Sequence, residues 1–341
     1  MGSVSARRGW QLFGASLGLA LVLALGYAFT RERPASAVVA NEKLTIAVPS
    51  APHAALLHLA ASNNYFAEEG LDVVTLPATH GKVALELLVQ GKADVAAAAE
   101  LPFVVNVMNG QHLAIIASVA SATSETAVIA RRSRGIQQPA DLAGKTIGVT
   151  RGTSGEYFLW AFLIRNRLAP DAVTLIDAPP DQLDKGLANG TFDAIVAWQP
   201  TRFRAEAALG AGGVVLTEPN AYTATYVLVS HDAYIKEHPR VFEKLVRALL
   251  KAEAFLRTSP QLARQVVAQR LRVEPEALLP SWKDQEFRVD LLQPQLITLE
   301  DEARWVAARG YAASDSIPNF LPHLYLDALL AVRPERVTVV H

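Results

Sequence analysis

Cysteine is absent from all 341 residues. That excludes disulfides, thiolate metal sites, a cysteine nucleophile and a lipid-modified N-terminal cysteine. An excess of charge of one sign is absent too. Lys and Arg number 32 against 33 Asp and Glu, a formal net charge of −1, which supplies no basic field to hold nucleic acid. Only 19% of residues are charged while 51% are hydrophobic, the reverse of a disordered chain. Twenty Gly and nineteen Pro are ordinary usage, so no collagen-like or low-complexity array is present. Familiar catalytic signatures are missing as well. No H-E-x-x-H, Walker A or G-x-G-x-x-G occurs, and Gly152-Thr153-Ser154-Gly155-Glu156 lacks the last glycine of a nucleophile elbow. His53 and His58 are badly spaced for one helical face. The expectation is a non-enzyme with no cofactor and no metal, long enough for two ordinary domains.

One long apolar run exists, from Leu12 to Phe29, behind Arg7-Arg8 and ahead of Arg31-Glu32-Arg33-Pro34 and Ala35-Ser36-Ala37. Basic, apolar and small residues in that order describe a secretory signal cut after Ala37. The run also approaches the length that spans a bilayer, so an uncleaved anchor is the competing reading. Both place the remainder outside the cytoplasm, in a periplasm.

Past this segment one pattern is written twice. Thr45-Ile46-Ala47-Val48 returns as Thr146-Ile147-Gly148-Val149, and Val74-Thr75-Leu76 as Val173-Thr174-Leu175. Leu88, Gly91 and Asp94 return as Leu187, Gly190 and Asp193, and Thr126-Ala127-Val128-Ile129 as Thr225-Tyr226-Val227-Leu228. Four matches in one order at a nearly constant separation predict two related lobes. Each copy reads strand, helix, strand, helix, strand, which predicts parallel sheets covered by helices. In the first copy, residues 54–69 have helical spacing, with Gly70 placed as the C-cap. The stretches at Thr126 and Thr225 follow each set of elements and are expected to pass between lobes, a two-strand hinge. The division expected is 1–37 as signal or anchor, 44–126 with 226–341 as the first lobe, and 127–225 as the second. The helical tail after His238 is expected to complete the first lobe.

Several segments carry a family resemblance: Asn64-Tyr65-Phe66-Ala67-Glu68-Glu69-Gly70-Leu71-Asp72-Val73, Leu88-Val89-Gln90-Gly91-Lys92-Ala93-Asp94, Asp141-Leu142-Ala143-Gly144-Lys145-Thr146-Ile147-Gly148-Val149, Gly152-Thr153-Ser154-Gly155-Glu156-Tyr157 and Phe192-Asp193-Ala194-Ile195-Val196-Ala197-Trp198-Gln199-Pro200. Behind an export signal, this set resembles the substrate-binding proteins of ABC importers in the nitrate, sulfonate, taurine and thiamine-precursor group. The resemblance runs from Leu44 to the C-terminus. It implies a bilobed periplasmic binding protein that closes on a small polar solute, an oxyanion, a sulfonate or a compact heterocycle. It further implies a monomer that hands the solute to an ABC permease and its ATPase. A membrane-anchored sensor and a pyrimidine-precursor synthase on the same fold are the alternatives.

Ligands of such sheets sit beyond the carboxyl ends of the strands, where helices begin and unpaired N–H groups favour anions. The candidates at those junctions are Ser50 and His53, then Thr79, His80 and Gly81, then Glu100. In the second copy they are Gly152, Thr153 and Ser154, then Trp198 and Gln199, with Thr126 and Thr225 at the hinge. Gly152 to Gly155 would let backbone approach a ligand. Trp198 reads equally as a stacking wall or a core residue. Glu100 reads as a selector of N–H donors or as a helix-dipole charge. His53 and His80 read as anion donors or capping histidines.

Overall fold

The computed structural model describes residues 41–219 and 221–340. The signal or anchor segment, residues 1–37, lies outside the described residues. The strands are β1 (Glu42–Pro49), β2 (Leu71–Ala78), β3 (Val95–Ala99), β4 (Leu113–Ala122), β5 (Ala127–Arg131), β6 (Thr146–Val149), β7 (Thr174–Asp177), β8 (Ala194–Ala197), β9 (Gly213–Leu216), β10 (Ala224–His231) and β11 (Gln285–Glu286). They form two sheets. One has the order β11-β4-β10-β3-β1-β2 and the other β7-β6-β8-β5-β9.

The repeat is visible in the register. In the first sheet Ile46 pairs with Val95, and in the second Ile147 pairs with Ala194, parallel in both. The repeated aspartates explain why those residue types recur. Asp94 accepts the N–H of Thr45 at 2.7 Å, and Asp193 accepts the N–H of Thr146 at 3.0 Å. In each lobe, a carboxylate at the start of the third strand satisfies a first-strand donor that would otherwise be unpaired. The sheets are mixed, however. Strand β10 runs antiparallel to β3, and β5 antiparallel to β8. These are the strands reached by the crossings. The chain leaves the first sheet after β4, enters the second at β5, and returns from β9 to β10.

Nine longer helices matter below: α1 (Ala55–Ser62), α2 (Gly81–Val89), α3 (Glu100–Met108), α4 (Ser154–Arg165), α5 (Pro180–Asn189), α6 (Thr201–Leu209), α7 (Pro239–Thr258), α8 (Pro260–Leu271) and α9 (Gln293–Ala308). The continuous helix expected over residues 54–69 is instead broken. α1 ends at Ser62, and Asn64 adopts a left-handed φ of 60° before a short helix Tyr65–Glu68. Asparagine tolerates that conformation because its short polar side chain bonds locally. Gly70 follows at φ 75°, the conformation that ends helices. In the tail, α7 packs on α1 and α8, and α9 packs on α3.

The main apolar core runs through the first lobe and on to the inner face of the second. A smaller core on the outer face of the second sheet gathers Ile129, Leu183, Leu187, Phe192 and Ile195. Strand β5 serves both, because alternate side chains face opposite ways: Val128 and Ala130 go to the main core, Ala127 and Ile129 to the outer one. Among the described residues no helix is long and apolar enough to cross a membrane.

Candidate functional site

The carboxyl ends of β1, β2 and β3 in one lobe face those of β6 and β8 in the other. Between them lies a cavity walled by His53, His80, Gly81, Lys82, Ala99, Pro102, Thr126, Thr153, Ser154, Gly155, Trp198 and Tyr226. Its enclosed free volume is about 30 Å³, room for little more than water. A wider groove of about 500 Å³ adjoins it, bordered by Ser50, Thr79, Pro180, Asp181, Gln199 and Arg204. Trp198 borders both spaces.

Three helices begin at the cavity wall: α2 at Gly81, α3 at Glu100 and α4 at Ser154. None has a side-chain cap. At the start of α4, Thr153 turns its hydroxyl back to the carbonyl of Thr150, at 2.6 Å. At the start of α2, the His80 Nδ1 meets Thr79 Oγ1 at 3.0 Å. The starts of α2 and α4 thus meet the cavity without a side-chain cap and with the positive ends of their dipoles. Ser154 Oγ is buried and finds no partner of ordinary hydrogen-bond length. Lys82, from the first turn of α2, reaches across and donates from Nζ to the carbonyl of Arg151, at 3.1 Å. No carboxylate lines the cavity. Donors from both lobes and one ammonium group face a space free of acidic side chains, an arrangement complementary to an anion.

Glycines set how close these walls come. A Cβ on Gly81 would sit 2.8 Å from the Ala98 Cα, and one on Gly155 would sit 2.9 Å from Trp198 Cζ3. At Gly81 the neighbour is backbone, so α2 starts closer to β3 than a side chain would allow, whereas at Gly155 it is a ring.

Of the sequence candidates, the structure brings His53, His80, Gly81, Thr126, Thr153, Ser154 and Trp198 to the cavity. Ser50, Thr79 and Gln199 border the outer groove. The buried Gln199 uses its Oε1 to accept the Phe203 N–H at 3.1 Å. Gly152 stands beside the cavity, donating its N–H to Glu156 Oε2 at 2.8 Å, within the turn that also holds Thr153.

Two candidates are not brought there. Glu100 is fully buried and turned inward. Its carboxylate accepts the phenol of Tyr222 at 2.6 Å and the N–H of Thr225 at 2.9 Å. Burial pushes it up to about 7. It does not line the cavity and is not a solvated dipole charge. Thr225 lines a separate pocket with Ser118, Ser121 and Gln295. Strand alternation explains this, because Thr225 and its neighbour Tyr226 face opposite sides of β10, and Tyr226 is the one at the cavity.

Lys82 and Tyr226 were not among the candidates. Lys82 had a legible signal: a cation in the first turn of a helix whose start was already a candidate. Among the described residues, no group of three or more His, Asp or Glu is placed to hold a metal.

On the hinge side the lobes meet through aromatic rings. Tyr157 of α4 packs edge-on against Tyr222 at 5.2 Å and Trp305 at 5.5 Å, and Tyr311 donates to Glu156 Oε2 at 2.7 Å. Arg202 of α6 ties the first crossing by donating to the carbonyl of Ser124 at 2.6 Å.

The family model described as "NMT1/THI5 like" matches residues 51–263. A Bacillus subtilis (strain 168) protein named "Putative aliphatic sulfonates-binding protein" is 27% identical over 188 residues, 55% of this chain and 56% of that one. The solved alkanesulfonate-binding protein SsuA from Xanthomonas axonopodis pv. citri, bound to MOPS, superposes with a TM-score of 0.74 at 18% identity. It covers 83% of this chain and 98% of that one. The periplasmic nitrate-binding protein NrtA from Synechocystis PCC 6803 gives 0.72 at 13% identity, over 88% of this chain and 92% of that one. At these identities the structural likeness carries the fold, the bilobed architecture of periplasmic binding proteins.

Proposed function

Because the chain belongs to the NMT1/THI5-like family, we propose that it is an extracytoplasmic solute-binding protein that captures a compact oxyanion or sulfonate between its lobes. The observation that carries this reading is the meeting of α2 and α4, from opposite lobes, on one cavity with the Lys82 ammonium and no carboxylate. Each uncapped helix start contributes about 0.3–1 kcal/mol toward an anion and each charged hydrogen bond about 1.5–3 kcal/mol.

In this reading residues 44–126 and 226–341 move as one body against 127–225. The solute enters by the groove beside Trp198, and its contacts to both walls favour the closed form. The closed form is what an ABC permease and its ATPase would receive, in a periplasm. The named ligands of the relatives, alkanesulfonate, aliphatic sulfonates and nitrate, support the anionic class. The parallel His53–Tyr226 stack and the Trp198 indole favour a second reading, a flat heterocycle held between rings.

Calorimetry of the exported chain with methanesulfonate, ethanesulfonate, nitrate, sulfate and an aminopyrimidine decides between them, with X-ray scattering to follow closure. Heat and compaction with at least one anion are expected. Heat with the aminopyrimidine alone supports the second reading, and silence across the panel refutes both.

A further inference from the structure

His53 occupies the turn directly after β1 and is 4% exposed. Its ring stacks on that of Tyr226, centroids 3.8 Å apart and 3° from parallel. Neither Nδ1 nor Nε2 has a hydrogen-bond partner in the protein, although the residue walls the cavity. The phenol of Tyr226 in turn donates to Glu125 Oε2 in the first crossing. Glu125 is itself buried beside Gln285, and its Oε1 makes no bond of ordinary length. Imidazole, phenol and carboxyl therefore form one column from the cavity to the hinge, with an unsatisfied polar atom at each end.

We propose that His53 contacts the solute directly, and that the cleft takes up an anion and a proton together, the proton residing on the His53–Tyr226–Glu125 column. This rests on the reading that the solute is an anion, and it adds what that anion must bring. A buried polar group without a partner is costly, and an imidazole offers a cavity occupant two donors only when it is protonated.

Burial, with His58 second, holds the empty imidazole down to about 3. Burial pushes the Glu125 carboxyl up to about 7. A negative charge entering the cavity favours the protonated form of both groups. The other titratable or charged groups around the column are His58 on α1, His80 and Lys82 on the cavity wall with Asp181 beside His80, Lys283 and Asp284 on the helix Leu279–Asp284 packed against the His53 turn, Arg202 of α6 near Glu125, and Glu100 near Tyr226. Strand β4, also packed there, carries no titratable side chain. The acids among these groups, Asp181, Asp284 and Glu100, do not line the cavity, and the Glu100 carboxylate is held by Tyr222 and Thr225. The proton comes from solvent, and no covalent bond of the solute changes.

Methanesulfonate and nitrate stay ionised throughout the working range, so any proton taken up belongs to the protein. Calorimetry at pH 5.5 and 7.0, in pairs of buffers with different ionisation enthalpies, gives the protons absorbed per anion. About 0.3 to 1 proton is expected, with affinity rising as pH falls, by up to about tenfold per unit. His53→Gln, which cannot titrate, is expected to lose uptake at pH 5.5 and to bind about tenfold more weakly, and Glu125→Gln to lose uptake at pH 7.0. Ring ¹⁵N shifts of His53 in the unaltered protein report protonation directly during a methanesulfonate titration, whether or not the variants fold. Anion binding with less than about 0.1 proton absorbed at both pH values, or with unmoved ¹⁵N shifts, overturns the proposal and leaves the anion reading standing. Failure of both anions to bind overturns the anion reading and this proposal with it.

Discussion

The Lys82 ammonium donates to the backbone carbonyl of Arg151 across the cleft, at 3.1 Å, joining the start of a first-lobe helix to the turn that precedes a second-lobe one. A cation in that position can serve the solute and closure at once. On the anion reading it would neutralise the solute, and it holds the Arg151 turn near.

Lys82→Met keeps the apolar stem and removes the charge. Because a charged hydrogen bond contributes about 1.5–3 kcal/mol, affinity for the anion that binds best is expected to fall at least about tenfold. Melting should barely move, since Lys82 is only half-buried. Calorimetry beside a thermal melt checks both; an unchanged Kd would remove Lys82 from the site.

The second crossing brings a different pair together. Tyr222 donates to Glu100 Oε1 at 2.6 Å, and its hydroxyl also lies 3.3 Å from Glu302 Oε1, so two buried carboxyl groups share one phenol. Burial and the neighbouring Glu100 push Glu302 far above its ordinary 4.5, and burial takes Glu100 up to about 7. Between about 4.5 and 7 the folded state holds protons that the unfolded chain has released. Stability therefore falls as pH rises through that window. Glu302→Gln is a neutral stand-in for the protonated acid. It is expected to match or exceed the parent at pH 8 and to flatten the slope, read by urea unfolding at pH 5 and pH 8. A variant much weaker than the parent at pH 5 would mean that Glu302 is charged in the fold.

The duplicated lobes were legible because their signals are local. Asp94 and Asp193 recur at fixed spacing after Gly91 and Gly190, since each must reach the first strand of its own lobe. The junctions at His80-Gly81 and Thr153-Ser154, which line the cavity, were legible as strand ends followed by helix starts. What sequence could not supply was side-chain direction. Thr225 matched Thr126 in the repeat, yet a period of two turns Thr225 away and brings Tyr226 to the cavity. Glu100 stands at a correct junction, but its carboxylate is claimed by Tyr222 and Thr225, far along the chain. Only tertiary contact decides which way an acid at a helix start will point.

Gly81→Ala and Gly155→Ala should part company. At Gly81 the new methyl meets the Ala98 backbone at 2.8 Å, and a strand cannot yield as a side chain can. Overpacking of that kind costs about 1–3 kcal/mol. At Gly155 the methyl meets the rim of the Trp198 indole at 2.9 Å, and that half-buried ring borders open space. Stability there should change by less than about 1 kcal/mol, while displacement of the indole lowers solute affinity. Chemical denaturation and calorimetry on both variants test the contrast. Equal stability losses would show that Trp198 is as fixed as the backbone.

Gly186 sets two physical rules against each other. It lies within α5, where exchanging Gly for Ala ordinarily gains up to about 1 kcal/mol of helix propensity. A Cβ there would stand 2.2 Å from Phe192 Cε2, and the same ring lies 2.7 Å from a Cβ built on Gly148. Phe192 is 4% exposed and is wedged between the two glycines, so it has nowhere to turn. Overpacking of about 1–3 kcal/mol should win, and Gly186→Ala is expected to destabilise. Pairing it with Phe192→Leu removes the clash and lets the propensity gain appear, so the double variant should be more stable than the sum of the single changes. Simple additivity in urea unfolding would mean that the ring and the glycine do not meet.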